Sequence, residues 1–234
     1  MGSRVYAILL TAVVAATAGC NGAVSEDIRV LAGSTGHAGA ISVNGNVLVA
    51  ERVAADGGAF RTVNGDIHIG AGAQVDACTS VHGRITVGEG ARTGPLEAVN
   101  GDLAVARAAL VNGPINLVNG KVSIEDEVRV VGGVGTVNGE IQIRGSVVGG
   151  DVVNYNGGIT LTEGTEVLGD VIVRDTVGVN GQRVPRVVIG PNSVVAGRLV
   201  FERPVRLYIH ETATVADTGG FASATFSTAS WDGR

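Results

Sequence analysis

The chain has 234 residues, 17 of them basic and 22 acidic for a net charge of −5, and 37 are glycine. Hydrophobic residues make up 45%, aromatics only 3%, and lysine occurs once, at Lys121. So apolar and weakly charged a chain is not intrinsically disordered. Its glycines show no period of three, which excludes collagen, and its acidic balance argues against a nucleic-acid partner held by counterion release.

At the N-terminus, Arg4 and the terminal amine precede an uncharged, mostly apolar run from Val5 to Gly19. That run is short of the roughly 20 residues a spanning helix needs, so residues 1–19 read as an export signal. It ends in Thr17-Ala18-Gly19-Cys20, small residues leading into a cysteine, which resembles the lipobox of bacterial lipoproteins. The resemblance implies cleavage ahead of Cys20, lipid on its thiol, an acylated new N-terminus and attachment to a membrane through that lipid. Thr17 stands where Leu or Val is commoner, and an ordinary secretory signal with a chance cysteine is the alternative. Asn21 replaces the Asp that retains many such proteins at the inner membrane, so an outer-membrane lipoprotein facing periplasm or surface is expected. Residues 20–40, rich in Gly and Ala, read as a lipidated tether or cap. Cys78 is the only other cysteine, so no disulfide framework is available. It reads as a small buried hydrophobe.

From residue 41 a Val-Asn-Gly tripeptide recurs. Its central positions are Asn44, Asn64, His82, Asn100, Asn119, Asn138, Asn156 and Asn180, at steps of 20, 18, 18, 19, 19, 18 and 24 residues. Val111-Asn112-Gly113 is out of register and reads as a coincidental turn. After each in-register glycine the sequence alternates, giving inward pairs Val47/Val49, Ile67/Ile69, Ile85/Val87, Leu103/Val105, Val122/Ile124, Ile141/Ile143 and Ile159/Leu161. Residues between them, such as His68, Thr86, Ser123, Gln142 and Thr160, face out. A period of two in β-branched residues means a strand with one face in a core. Its return every 18–20 residues describes one coil of a parallel β-solenoid.

The Asn-Gly pair is expected at a sharp corner where φ > 0 is needed. Stacked coils bring each Asn about 4.8 Å above the last, close enough for an amide ladder of the cross-β kind, which His82 interrupts or joins. The residue after the glycine runs Asp66, Arg84, Asp102, Lys121, Glu140. This alternation of sign favours one register over a one-coil slip.

After an insertion around Asp175 to Arg186 the pattern becomes Val187/Ile189, Ser193/Val195, Leu199/Phe201, Leu207/Ile209 and Ala213/Val215, about three short strands per coil. The expected fold is an all-β, single-domain parallel β-helix over residues 41–215, with about nine coils stacked over roughly 40–45 Å. Residues 216–234, with Phe221, Phe226 and Trp231, read as a C-terminal cap or tail.

The repeated V-N-G-x-I-x-I unit over residues 41–181 resembles bacterial adhesin-type β-strand-repeat proteins. The block Val187–Val215, with Ile189-Gly190 and Val195-Ala196-Gly197-Arg198-Leu199, resembles the bactofilins. That second resemblance implies a right-handed triangular helix joining end to end into polymers without nucleotide. A period of 18 also admits a left-handed hexapeptide helix; the irregular steps favour the right-handed form.

No catalytic, cofactor or metal motif stands out. Glu125-Asp126-Glu127 lacks a cation-ligand pattern and reads as a solvated corner, and His210 reads as an exposed strand residue rather than an acyltransferase base. The expected function is a non-enzymatic envelope scaffold that self-assembles. The alternative is a surface adhesin or polysaccharide-binding module.

Overall fold

Aliphatics at every second position need one sheet face covered, and in a solenoid the cover is the rest of the same coil. In the computed structural model, which describes residues 26–31, 39–54, 58–175 and 184–227, that is how the chain folds. It is all-β, its strands pair in parallel, and each coil turns through three short sheets.

Sheet one has eleven strands: Ile28–Val30, Val47–Val49, Ile67–Ile69, Ile85–Val87, Leu103–Val105, Val122–Ile124, Ile141–Arg144, Ile159–Thr162, Arg186–Ile189, Arg206–His210 and Ser223–Phe226. Sheet two holds the strands leading into the Asn corner, among them Ala59–Asn64, Cys78–His82, Leu96–Asn100, Ile115–Asn119 and Val134–Asn138. Sheet three holds short strands such as Leu110–Val111, Arg129–Val130 and Val147–Val148. The long strand Val194–Phe201 bends from sheet three into sheet two, joining them.

Register is strict. Ile67, Ile85, Leu103, Val122, Ile141, Ile159, Val187 and Leu207 form one inward column. The seven inward pairs expected between Val47 and Leu161 are all exposed by 2% or less. They belong to a single core running from Val30 to Leu207. With each buried aliphatic contributing about 1.5–3 kcal/mol, this core needs no disulfide.

The stack extends beyond both expected ends. Ile28–Val30 pairs with Val47–Val49, and Ser223–Phe226 pairs with Arg206–His210. Neither rung carries the tripeptide, and Arg206–His210 lacks it too. The last rung aligns Ser223 and Thr225 with Leu207 and Ile209, so hydroxyls replace aliphatics where the core ends. Val111-Asn112-Gly113 leads from Leu110–Val111 into the third corner, ahead of Pro114.

Positive φ occurs at the Asn corner as expected, on Gly83, Gly101, Gly120 and Gly139 at 148–159°, and at a second corner that the sequence reading missed. Among the described residues, non-glycine positive φ occurs at Arg52, Ala108, Glu127, Glu163 and Asn192, all in the corner between sheets one and three. None of the described ladder asparagines adopts it. At the Asn corner glycine is required by space: a Cβ on Gly101 would lie 2.0 Å from the carbonyl oxygen of Gly83, and one on Gly120 2.1 Å from that of Gly101.

Candidate functional surfaces

Three columns run along the Asn corner. The outermost is the amide ladder. Asn64 donates from Nδ2 to Oδ1 of Asn44, Asn119 to Asn100, Asn138 to Asn119 and Asn156 to Asn138, each at 2.8 Å. Each inner amide thus gives one N–H and takes one, always toward the N-terminal neighbour. His82 stacks in register between Asn64 and Asn100 but hydrogen-bonds neither, so it interrupts the ladder. At the upper end Arg203 donates to Asn156 Oδ1 at 3.2 Å and to the Tyr155 carbonyl at 3.4 Å. Asn180 and Cys20 lie outside the described residues.

Just inside runs a buried polar column that the sequence reading missed. Thr62 donates to the Gly45 carbonyl at 3.0 Å, Ser80 to Gly65 at 3.2 Å, Thr136 to Gly120 at 3.4 Å and Asn154 to Gly139 at 2.9 Å. Ser42 reaches the Glu26 carbonyl at 3.4 Å. These carbonyls belong to the crowded glycine column and receive no backbone N–H among the described residues, so a buried hydroxyl or amide satisfies them. The signal was in the text of the repeat, which reads Ser42-Val43-Asn44, Thr62-Val63-Asn64, Ser80-Val81-His82 and Thr136-Val137-Asn138. Ala98 and Leu117 break the column.

The third column follows the glycine. Asp27 accepts the Asn46 N–H at 2.9 Å, Asn46 that of Asp66 at 2.8 Å, Asp66 that of Arg84 at 2.7 Å and Asp102 that of Lys121 at 2.9 Å. The alternating charges are therefore more than a charge pattern: the carboxylates bind the backbone of the next coil. Arg84 also pairs with Asp102 at 3.5 Å, an exposed contact worth roughly 0–1 kcal/mol. Near the third corner Asp170 accepts the Arg198 N–H at 2.8 Å. That bond, with the Arg198 guanidinium and against some burial, holds its carboxyl below the usual range.

In Glu125-Asp126-Glu127 the last two carboxylates are held in ion pairs. Arg144 forks onto Asp126 at 3.0 and 2.7 Å, and Arg107 meets Glu127 at 3.0 Å. Among the described residues no three His, Cys, Asp or Glu side chains converge on a metal-sized site. His210, read from sequence as exposed, is buried: Nδ1 accepts the Thr212 N–H at 3.1 Å and the ring meets Phe226 edge-on. It closes the core beneath the last rung. Cys78 is fully buried, which pushes its thiol up to about 12.

Of the expected outward residues, Ser123, Gln142 and Thr160 come together on sheet one. With Glu125, Arg144 and Thr162 they line an open groove of about 210 Å³. Gln142 leans on Glu140 at 3.4 Å. The outer face of sheet two carries the tripeptide valines Val43, Val63, Val81, Val99, Val118 and Val137, half-buried and stacked coil on coil. Comparison of the chain with family models, curated proteins and solved structures finds no match.

Proposed function

We propose that this chain is a non-enzymatic envelope protein, tethered to the outer membrane by lipid on Cys20, whose rod is a scaffold that self-assembles end to end. The observation that carries the reading is the in-register parallel stack, whose outermost described rungs on sheet one are Ile28–Val30 and Ser223–Phe226. A strand with a neighbour on one side only offers a row of N–H and C=O groups to another chain. The likeness of Val187–Val215 to bactofilins points the same way. Electron microscopy of the purified protein tests it: filaments support the reading, and monodisperse short rods at high concentration overturn it. The tether is tested separately, since Cys20→Ala moves the protein out of the membrane fraction if lipid on Cys20 is what holds it there.

A second reading, an envelope polysaccharide-binding module, is favoured by the polar groove around Gln142. Peptidoglycan or glycan pull-down that is lost in Gln142→Ala would select it over the scaffold.

A further inference from the structure

The outer face of sheet two has two outward columns. One is the valine stripe Val43, Val63, Val81, Val99, Val118 and Val137, half-buried along its length. The other stacks Ile41, Arg61, Thr79, Glu97, Asn116 and Gly135 in register. Arg61 and Glu97 are the charged residues on these columns, and both are exposed. Arg84, Arg107, Arg144, Arg174 and Arg198 are in ion pairs, whereas Arg92, Arg129 and Glu166 on sheet three have none among the described residues. Neither Arg61 nor Glu97 has such a partner among the described residues. One lies a rung below Thr79 and the other a rung above, about 9–10 Å apart along the axis.

We propose that this face docks a second copy of the chain, antiparallel and face to face, about a two-fold axis along the strand direction at the Thr79 rung. A two-fold contact requires a self-complementary patch. About this axis Arg61 meets the partner's Glu97 and Glu97 meets the partner's Arg61. Thr79 meets its own mate, and the valine stripe lies against itself, with Val81 on the axis. Parallel rods fail: they set Arg61 against its own copy or bury it on valine. The overlap spans five rungs, about 24 Å, at the small end of protein interfaces. Pairing is therefore concentration-dependent, and anchoring both copies on one membrane would strengthen it by raising their effective concentration. The contact is lateral, so it stands or falls separately from end-to-end growth.

Disulfide trapping of the full-length protein tests the geometry. Thr79→Cys is expected to give an oxidant-dependent dimer on a non-reducing gel, because the two introduced thiols meet on the axis while Cys78 faces the core. Gln142→Cys, on the outer face of sheet one, is the control and should give none. In the Thr79→Cys background, Arg61→Glu or Glu97→Arg alone should lower the dimer yield roughly tenfold by setting like charges together, and the double exchange should restore it. The proposal is overturned by the absence of a Thr79→Cys dimer, by an equal dimer from Gln142→Cys, by a double exchange that fails to rescue, or by an adduct with a different protein in place of the homodimer.

Discussion

His82 offers the sharpest test of the ladder, because the structure shows a gap of one rung. Asn64 already donates to Asn44, which leaves its Oδ1 free, and Asn100 already accepts from Asn119, which leaves its Nδ2 free. An amide at position 82, in register with both, accepts from Asn100 and donates to Asn64, joining two runs into one. A net hydrogen bond contributes about 0.5–1.5 kcal/mol. Both new bonds are solvent-exposed, so the low end applies and His82→Asn should stabilise the protein by about 1 kcal/mol. For a domain of this size that raises Tm by roughly 2–4 °C. Thermal and urea unfolding followed by circular dichroism at pH 8 measure it. Asn119→Ala, which removes a rung on each side, should shift Tm the other way by a similar amount. An unchanged or lowered Tm in His82→Asn, with Asn119→Ala neutral, would mean that the ladder marks the corner without stabilising it.

The inner column makes a parallel prediction. Ala98 occupies the position from which Ser80, a coil earlier, serves the preceding coil's glycine carbonyl, so Ala98→Ser should supply a donor to Gly83 and raise the urea midpoint by a stabilisation of about 0.5–1.5 kcal/mol; a lower midpoint refutes it. Gly101→Ala forces a methyl to within 2.0 Å of the Gly83 carbonyl oxygen and should destabilise by at least about 1–3 kcal/mol, seen as a fall in Tm. Cys78, buried and with its thiol pushed up to about 12, should resist maleimide at pH 8 in the folded protein and react once urea unfolds it; native labelling at the rate of a free thiol refutes this. Asp170 has a depressed carboxyl because it accepts the Arg198 N–H. Its contribution is present above the unfolded value of about 4 and lost as pH falls through the lower folded value. The stability gap between wild type and Asp170→Asn should therefore shrink from pH 7 toward pH 2.5.

The core was legible because its chemistry is uniform. Pairs such as Ile67/Ile69 and Ile141/Ile143 obey a period of two, and only a covered face demands that. The ends were not legible. Ile28–Val30 follows Glu26-Asp27 with no tripeptide, and Asp27 still binds the amide of the next coil as Asp66 and Asp102 do. The corner between sheets one and three was only partly legible: Gly72, Gly90, Gly164 and Asn192 announce its positive φ, but Arg52, Ala108 and Glu127 carry it without the glycine or asparagine that usually does. A residue can be held in a strained conformation by the register its stacked neighbours demand rather than by its own preference.

The tripeptide itself shows why function was harder to read than fold. Its asparagine and glycine answer to the coil below: the amide bonds Oδ1 of the preceding Asn, and the glycine clears a carbonyl that a hydroxyl then satisfies. Those constraints are internal, so they recur and are visible as a repeat. The valine before them answers to nothing inside the chain; it faces out on sheet two, half-buried only by its stacked neighbours. A branched aliphatic retained on an outward position, coil after coil, is consistent with β-propensity alone. Arg61 and Glu97 in the next column are exposed and form no ion pair among the described residues, so no contact within the fold fixes them either. Residues that the fold does not constrain leave no repeat to read, which is why the surfaces open to recognition, on the flank as at the ends, were the hardest part of the chain to see.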